Sequence, residues 1–315
     1  MEKNEKKGNS EVFDIAIVGS GVVGYGTAVY AGRFNMKTAV IGDTPGGVIT
    51  TTDVVENYPG FIRLTGIELA EELKKHALDY KPEMITDKVT DVQKMENGLF
   101  ELTTSEGKKV VSKTVVFATG TKWKKLGIPG EAEYANKGVH YCALCDGAFY
   151  KEKIVAVIGG SDSAAKDALV MTQWAKKVYI IYRGEKIRAE PVNYDRVMAN
   201  KKIEIIYDIN VKEIKGEKFV NRVVLDKPYN GSTDFKVDAI FVAIGHIALS
   251  ELAVKLGVKV DAKGEIITDR DAKTNVPGIY AAGDVTNIRF KQAITGVADG
   301  VQAAYSAYEY INEKR

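Results

Sequence analysis

Two cysteines separated by two residues are the most reactive feature of this sequence. Cys142 and Cys145 lie in the stretch HYCALCDG, and the chain has two cysteines in all. In a chain with strand–helix–strand patterning, such a pair is typical of a redox centre that opens and closes a small disulfide. If the segment opens a helix, the free amides there stabilise a thiolate. Asp146, directly after the pair, can then relay a proton to or from a departing thiolate.

Zinc binding and an inert pair are the alternatives for the same residues. His140, Cys142 and Cys145 could supply three zinc ligands, but a structural zinc site needs four and usually takes them from a second pair. The other histidines, His76 and His246, stand apart in the sequence. We therefore expect no metal, and we interpret His140 by itself as a packed structural residue rather than a catalytic one.

A glycine-rich loop near the start of the chain predicts a dinucleotide site. An apolar run ends in the sequence GSGVVG, and a helical segment follows it. Gly19 permits the tight turn, Gly21 lets a pyrophosphate approach the backbone, and Gly24 lets the helix pack close to the strand. The phosphate would bind the free amides at the helix N-terminus. An acid normally ends the next strand and binds the ribose, but Gly42 stands there, which leaves Asp43 as the candidate.

A second loop of the same kind, GGSDSA, follows the apolar run IVAVI in the middle of the chain. Ser161 replaces the middle glycine of the usual pattern, so its Cβ crowds the pyrophosphate path, although its hydroxyl can donate a hydrogen bond. Arg183, Lys186 and Arg188 lie beyond the next strand. A basic cluster at that place suits a 2′-phosphate and favours NADP over NAD, whereas the alternative is a solvated basic loop.

The two loops and the cysteine pair together predict an electron relay. A dithiol cannot accept a hydride directly, so nicotinamide would pass it to a flavin, and the flavin would pass two electrons to the disulfide. The first loop would then hold FAD and the second NADP(H).

The chain repeats one unit inside another. Each glycine loop lies between an apolar strand and a helix, and each unit closes on a similar strand, VVFATG in the first and IFVAIG in the second. Alternating strands and helices imply parallel sheets. We therefore predict an α/β fold with two Rossmann-like dinucleotide-binding domains, the second inserted in the first. Residues 1–121 and 248–315 would form the FAD-binding domain, and 122–247 the NAD(P)H-binding domain with the cysteine pair.

Composition excludes several other classes. The 315 residues carry 44 basic and 42 acidic side chains, and this balance gives no electrostatic footprint for nucleic acid. No apolar run approaches the roughly 20 residues that cross a bilayer. The charged start, MEKNEKKGNSE, is interpreted as a flexible tail rather than a signal peptide. A cytoplasmic location is expected, because dithiol chemistry of this kind suits a reducing compartment.

With those motifs assembled, the chain resembles the low-molecular-weight thioredoxin reductases, class II pyridine nucleotide-disulfide oxidoreductases, from about Phe13 to Tyr310. The stretches that carry the likeness are GSGVVG, ITTTDVVENYPGF, ATG, HYCALCDGAFY, VAVIGGSDSA, AGDV and QAITGVADGVQAA. The cysteine pair in the middle of the chain disfavours relatives, such as glutathione reductases, whose redox cysteines lie near the N-terminus.

The resemblance implies a role for each matching residue. Cys142 and Cys145 would be the redox pair and Asp146 the acid. Flavin contacts would come from Gly19, Gly21, Gly24, Gly46, Gly47, Asn57, Gly120, Gly283, Asp284, Gln292 and Ala293. Pyridine nucleotide contacts would come from Gly159, Gly160, Ser163, Ala164, Arg183 and Arg188. The resemblance also implies a homodimer, thioredoxin or a similar dithiol protein as partner, and rotation of the inserted domain about linkers near Thr121 and Gly245.

Departures from the family pattern leave the electron donor open. The family's phosphate-binding segment commonly reads His-Arg-Arg-x-x-x-Arg, whereas this chain has Tyr182-Arg183-Gly184 and then Arg188. We therefore expect thioredoxin-disulfide reduction with NADPH, with NADH or reduced ferredoxin as alternative donors. Lys291 and Val48 stand where the family often has Arg and Gln beside the flavin. The rival functions are a flavin NAD(P)H oxidase, a reductase of ferredoxin-like carriers, and a non-catalytic flavin redox sensor.

Overall fold

The apolar strand segments form two parallel sheets, one in each of two units of the chain. The computed structural model describes residues 11–313, and the predicted flexible tail falls mostly on residues 1–10, outside that range. The outer unit runs to Lys122 and resumes at Ala248, and the inserted unit is Trp123–Ile247. The cofactors expected for each predicted domain are taken up below as proposals.

The first segment of the outer unit carries most of its strands. In chain order it contains β1 (Val12–Val18), α1 (Val22–Arg33), β2 (Thr38–Ile41), a 3-10 turn (Val48–Thr51), α2 (Gly66–Asp79), β3 (Glu83–Ile85), β4 (Val89–Lys94), β5 (Phe100–Thr104), β6 (Lys109–Phe117) and β7 (Thr121–Trp123). α2 begins at a capping box, in which the Glu68 amide donates to the Thr65 hydroxyl and the Glu68 carboxylate accepts from the Thr65 amide.

The inserted unit repeats the strand–helix order. It contains β8 (Val139–His140), α3 (Ala143–Asp146), a 3-10 turn (Gly147–Tyr150), β9 (Ile154–Ile158), α4 (Asp162–Met171), β10 (Lys177–Ile181), α5 (Pro191–Ala199), β11 (Ile203–Ile206), β12 (Val211–Gly216), β13 (Val220–Tyr229), β14 (Ser232–Lys236), β15 (Ala239–Val242) and β16 (His246–Ala248). The chain then completes the outer unit with α6 (Glu251–Lys255), β17 (Ile279–Ala281), a 3-10 turn (Gly283–Val285) and α7 (Ala293–Glu313).

Both parallel sheets confirm the predicted fold class. In the outer unit the strand order is β3-β2-β1-β6-β5-β4, with β17 also paired to β6. Strands β3, β2, β1, β6 and β17 pair in parallel, whereas β4, β5 and β6 pair antiparallel. The inserted sheet has the order β11-β10-β9-β15-β8 and is parallel throughout. A three-stranded antiparallel sheet, β12-β13-β14, belongs to the same unit.

The core of the outer unit lies on both faces of its sheet. Along β1, Ile15 and Ile17 face a cluster shared with α1 and α7, and Ala16 and Val18 face the opposite cluster. Burial on both faces explains why this strand is continuously apolar instead of alternating. Helix α7 packs closely on α1 at Gly26, because this residue has no Cβ; a Cβ there would come within 2.8 Å of a Val297 methyl group.

Two short strands mark where the chain passes between the units. β7 and β16 pair as a two-stranded sheet. Each follows a glycine with positive φ, Gly120 at +63° and Gly245 at +103°. A Cβ on either glycine would meet no atom within 4 Å, so the backbone conformation rather than packing explains the residue type. Among residues 11–313, no helix has the length and apolarity of a membrane span.

One carboxylate in the inserted unit lies in an apolar environment. Asp167 is on α4, and burial raises its pKa to about 7. Its charged form is therefore less stable in the folded protein than in the unfolded chain, where the pKa is near ~3.9. This carboxylate lowers the free energy of unfolding increasingly as the pH rises from about 4 to 7.

Replacing Asp167 by Asn should remove that pH-dependent cost. The free energy of unfolding of Asp167→Asn, minus that of the wild type, should increase from about pH 4 to pH 7 and then stay constant, with a ceiling of about 4 kcal/mol, and the difference in melting temperature measured at each pH should follow it. Asp162→Asn is the matched control on the same helix. Although burial opposes it, bonds from Lys166 and Asn193 lower the pKa of Asp162, so that substitution should destabilise the protein at neutral pH. A difference for Asp167→Asn that does not depend on pH would contradict the assignment.

Candidate functional site

The cysteine pair closes a disulfide across the start of a helix, as the spacing predicts. Cys142 is the N-cap of α3, and its sulfur is bonded to that of Cys145, with the Cα atoms 5.4 Å apart. The Cys145 amide donates to the Cys142 sulfur at 3.1 Å, which is the kind of contact that stabilises a thiolate. Cys142 is 7% exposed, whereas Cys145 is exposed. The two sulfurs that were candidate zinc ligands are thus bonded to each other. The described residues contain no group of three or more His, Cys, Asp or Glu side chains that could hold a metal ion.

His140 lies beside the pair and contacts its neighbours through both ring nitrogens. Its Nδ1 is 3.0 Å from the Asp146 carboxylate, and its Nε2 is 2.8 Å from the Tyr150 hydroxyl. The ring is 5% exposed and stacks on Phe241 with centroids 5.3 Å apart. The interpretation of His140 as packed is right about its burial, but sequence reasoning missed its contact with Asp146. The signal was the short separation of a histidine from two cysteines and an acid.

The first glycine loop has the close contacts that its pattern predicts. A Cβ on Gly19, whose φ is +122°, would lie 2.2 Å from the Ala118 carbonyl oxygen. A Cβ on Gly24 would lie 2.0 Å from the Gly19 carbonyl oxygen. No side chain caps the N-terminus of α1, and the buried Ser20 hydroxyl has no hydrogen-bond partner among the described residues. These groups fit a pyrophosphate, which would accept hydrogen bonds from the loop amides and from Ser20.

Most of the other predicted flavin contacts meet around this loop. Gly21 forms a bridge with Gly46, and its Cα lies close to Gly47. The Asn57 amide donates to the Gln292 side chain at 2.9 Å, joining two parts of the chain that are 235 residues apart. Gly283 and Ala293 also belong here, because a Cβ on Gly283 would lie 2.8 Å from a methyl group of Val23 in α1. Gly120 is the exception, since it lies past the end of β6 and nothing would contact a Cβ there.

The missing acid after β2 has a steric explanation. A Cβ on Gly42 would lie 2.5 Å from the Ser20 amide nitrogen and 2.6 Å from its hydroxyl oxygen. A carboxylate side chain therefore cannot occupy position 42 beside this glycine loop. Asp43, the predicted substitute, is exposed, and its carboxylate accepts a hydrogen bond from the Thr44 hydroxyl at 3.2 Å.

Lys291 holds the backbone around Asp284. Its ammonium group donates to the Asp284 carbonyl at 2.6 Å and to the Thr286 carbonyl at 2.7 Å, and it lies 3.2 Å from the Glu265 carboxylate. Three acceptors match the three donors of an ammonium group. Lys291 therefore holds the turn that carries Asp284, and we call this set of contacts the Lys291 clamp. Sequence reasoning placed Lys291 beside the flavin but did not predict these contacts with the backbone.

Asp299 on α7 binds the same turn from the other side. Its carboxylate accepts from the Gly283 amide, which lowers its pKa, but burial and the nearby charge of Asp284 outweigh this and leave the pKa raised. The turn at 283–285 is thus fixed at both ends, by Asp299 at Gly283 and by Lys291 at Asp284. A fixed turn would keep the Asp284 side chain in place for the flavin contact that the resemblance implies, in which the carboxylate would accept a hydrogen bond from a hydroxyl group of the ribityl chain.

The second glycine loop reproduces the first in its tight turn but not in its surroundings. A Cβ on Gly159, with φ at +148°, would lie 2.2 Å from the Ala243 carbonyl oxygen. The Tyr182 ring covers Gly160, where a Cβ would come within 2.4 Å of it, and also Gly184, where a Cβ would come within 2.9 Å. A side chain at position 184 would require this ring to shift. In this arrangement the tyrosine ring packs over the glycine that stands where the family has its second arginine.

The remaining predicted nucleotide residues surround the start of α4. Ser161 is its N-cap and forms a bridge with Arg188, whose amide donates to the Gly160 carbonyl at 2.6 Å. Ser163 is in the first turn, and Ala164 is fully buried. Arg183 and Arg188 are both exposed, and the bridge to Ser161 places Arg188 beside the loop. The site can accept an anion at the helix N-terminus, with two guanidinium groups beyond it.

Comparison with known proteins agrees with this pair of glycine loops and the disulfide. The model of the pyridine nucleotide-disulphide oxidoreductase family matches residues 13–305. The chain belongs to that family. It is 36% identical over 306 residues to a thioredoxin reductase of Bacillus subtilis (strain 168), covering 96% of both chains.

Solved structures place the chain more narrowly within the family. The thioredoxin reductase of Lactococcus lactis has a TM-score of 0.91 and 37% identity, covering 96% of this chain and 99% of that one. The T. acidophilum thioredoxin reductase has a TM-score of 0.89 and 36% identity, covering 95% and 98%. The chain is thus a member of the low-molecular-weight thioredoxin reductases, which are flavoprotein oxidoreductases. The family implies FAD and a pyridine nucleotide.

Removal of the Lys291 clamp should weaken flavin retention. Lys291→Met leaves the Asp284 and Thr286 carbonyls without their charged donor, so we expect the dissociation constant of FAD to rise about tenfold, or about 1.4 kcal/mol. Fluorescence of released FAD, titrated against apoprotein, measures it. Lys255→Met is the control, because Lys255 also pairs with a carboxylate, that of Asp91 at 3.1 Å, but on the outer surface. Equal dissociation constants for the two variants would rule out the clamp.

Proposed function

We propose that this chain passes two electrons from NADPH, through FAD, to the Cys142–Cys145 disulfide and on to the disulfide of thioredoxin. The observation that carries the proposal is the disulfide itself, closed across the first turn of α3 in a member of the thioredoxin reductase family. Bound FAD would accept a hydride and deliver two electrons to a disulfide, which protein side chains do not do.

The outer unit supplies the groups that would bind the flavin. The amides at the start of α1 and the Ser20 hydroxyl would hold the pyrophosphate, and Asp284 would accept a hydroxyl of the ribityl chain. Asn57 and Gln292, already joined by a hydrogen bond, would contact the remainder of the cofactor. The absence of Cβ atoms at Gly19 and Gly24 is what leaves room for this cradle.

The reduced pair would then exchange with a partner disulfide. Cys145 is the exposed cysteine, so its thiolate would attack the partner and form a mixed disulfide, releasing one partner thiolate. Cys142 would attack the Cys145 sulfur, re-forming the disulfide and releasing the second partner thiolate. The amide of Cys145, which donates to the Cys142 sulfur, would stabilise the Cys142 thiolate in that step.

An exposed aromatic side chain beside the pair supports a protein as the disulfide substrate. Phe149 lies four residues after Cys145, in the 3-10 turn that follows α3, and it is 80% exposed. Exposed aromatic rings are favoured at protein–protein interfaces because they bury a large apolar area. Thioredoxin, named in the family's relatives, is therefore the partner we propose.

NADPH is the donor that the second loop supports best. The tight turn at Gly159 and the uncapped start of α4 can hold a pyrophosphate, and Arg183 and Arg188 provide charge for a 2′-phosphate. The Tyr182 ring packs over Gly184, which stands where the family has its second arginine. NADH and reduced ferredoxin are the alternative donors. Neither has a 2′-phosphate for the Arg183 and Arg188 side chains to bind.

We also propose a homodimer and a cytoplasmic location. Phe34, the C-cap of α1, stacks on Tyr308 of α7 with centroids 5.0 Å apart, and Tyr305 and Tyr308 are 43% and 37% exposed. An exposed aromatic group of this kind is a candidate surface for a second copy of the chain. The location is supported by the dithiol chemistry, which requires a compartment where thiols stay reduced.

Anaerobic stopped-flow spectroscopy with each donor tests the electron path. NADPH should bleach the flavin, and oxidised thioredoxin should then restore its absorbance. Cys145→Ser should still be bleached by NADPH but should lose thioredoxin reduction by at least about 10³-fold, because no disulfide can form. Bleaching by ferredoxin alone would select the alternative donor. Thioredoxin reduction that survives in Cys145→Ser would sink the relay.

A trapping experiment decides which cysteine meets the partner. Thioredoxin with one active-site cysteine, activated as a mixed disulfide with thionitrobenzoate, reports attack by the colour of the released thiol. Cys142→Ser, which keeps the exposed Cys145, should react about tenfold faster than Cys145→Ser, which keeps the 7% exposed Cys142. The reverse order of rates would assign the attack to Cys142.

A further inference from the structure

We propose that His140 is a positioning residue of the redox centre: it holds Asp146 through Nδ1 and shares with it the proton lent to the cysteine pair. The inference rests on the proposed function, since it concerns how the same disulfide is reduced and re-formed. Asp146 directly follows Cys145 in α3, and His140 acts through it.

The strand before the pair sets the position of the imidazole. β8 is two residues long and pairs in parallel with β15, which places His140 opposite Phe241. The ring stacks on Phe241 at an interplanar angle of 26° and is 5% exposed. α3 starts three residues later and brings Asp146 back over the ring. The imidazole is therefore held by the sheet while the acid is held by the helix.

Tyr150 decides which ring nitrogen carries the proton. Burial, with the charges of Asp146 and Asp238, raises the pKa of Tyr150 to about 12, so its hydroxyl keeps its proton at neutral pH. In the described contacts its acceptor is His140 Nε2, at 2.8 Å. Neutral His140 must then carry its proton on Nδ1, the nitrogen that faces Asp146.

The Nδ1 atom lies close to the Asp146 carboxylate without a well-directed hydrogen bond to it. Nδ1 lies 3.0 Å from the Asp146 carboxylate, at ion-pair distance, but the N–H direction is not aligned with that oxygen, and Nδ1 has no other partner among the described residues. A buried polar atom without a well-directed partner is rare in folded proteins and is typical of functional sites. The Asp146 side chain is 30% exposed, so it links the enclosed imidazole to the outside.

The proton balance of the exchange gives the pair its role. In this scheme the pair takes up one proton from water, through the partly exposed Asp146 side chain, before the disulfide is reduced. Two electrons from the flavin break the S–S bond; one sulfur stays a thiolate, and the other takes the proton from the pair. After the thiolate has formed the mixed disulfide, the remaining thiol returns its proton to the pair and attacks. The disulfide re-forms, and the released partner thiolates take their protons from water.

Several other charged groups surround this centre. Asp238, directly before β15, raises the pKa of Tyr150 through its charge, and its carboxylate is 3.8 Å from the Lys153 ammonium group. On α4, which packs against α3, Asp162 is paired with Lys166 at 2.8 Å, and Asp167 has a pKa raised by burial to about 7. Because its pKa is close to the ordinary value of a histidine, Asp167 could produce the same inflection in the pH dependence of cysteine alkylation.

Alkylation of the reduced pair tests the proposal without nucleotide or thioredoxin. The FAD-loaded enzyme is reduced with dithiothreitol, and the rate of iodoacetamide modification of each cysteine is followed against pH by mass spectrometry. His140→Phe keeps an aromatic ring against Phe241 but removes the N–H that faces the Asp146 carboxylate, so the negative charge of Asp146 is less well stabilised near the cysteine pair. We expect the thiol pKa to rise by about one unit, so that thiolate reactivity at neutral pH falls about tenfold.

Two further variants keep the test decisive if His140→Phe folds poorly. Tyr150→Phe removes only the hydroxyl that fixes the tautomer, and it should shift the thiol pKa in the same direction by less. Tyr134→Phe is its control, because that hydroxyl also donates a buried hydrogen bond, to Gly216 at 2.9 Å, but away from the cysteines. Equal alkylation profiles for wild type, His140→Phe and Tyr150→Phe would overturn the proposal.

A double variant shows whether His140 acts through Asp146. In an Asp146→Asn background, His140→Phe should add little further shift, because the carboxylate that Nδ1 faces is gone. A full, additive shift in that background would contradict the positioning role. Asp167→Asn should leave the effect of His140→Phe on the alkylation rates unchanged. If Asp167→Asn alone abolished the pH dependence of alkylation, that dependence would belong to Asp167 rather than to His140. If no donor supported turnover, the proposed electron path would be wrong, but the alkylation profiles would not be affected.

Discussion

One close backbone contact is repeated in both units, and both glycine loops depend on it. The Cα of Gly19 lies against the carbonyl of Ala118, and that of Gly159 lies against the carbonyl of Ala243, each so closely that a Cβ would be 2.2 Å from the oxygen. This contact fixes the end of the first strand to the end of its parallel neighbour. The helix after each loop therefore starts at the carboxyl edge of its sheet, with its amides open to a phosphate.

The surroundings of the two loops differ although this contact is shared. In the outer unit, Lys291 and Asp299 hold the turn before α7, so the predicted flavin groups come from both ends of the chain. In the inserted unit, the Tyr182 ring covers Gly160 and also Gly184, which stands where the family has an arginine. A common backbone geometry can thus serve two different ligands, because the side chains around it set charge and shape independently.

The redox centre uses the edge of the inserted sheet in a different way. β8 is too short to add much to the sheet, but it ends two residues before Cys142 and so delivers His140 under the first turn of α3. The pair then has an amide on one side, from Cys145 to the Cys142 sulfur, and an acid–imidazole contact on the other. Thiolate stabilisation and proton supply are therefore separate functions of neighbouring groups.

The sequence by itself determined the fold class, the glycine loops and the redox pair. These features depend on local patterns: an apolar strand, a glycine where φ is positive, and two cysteines within one helical turn. Only the tertiary structure decided which side chains meet from distant parts of the chain, such as Asn57 with Gln292 and Lys291 with Glu265. It also showed that Ser20 excludes an acid at Gly42 and that the Tyr182 ring packs over Gly184. Such steric and polar contacts have no spacing rule, because they arise where separate loops converge at the edge of a sheet.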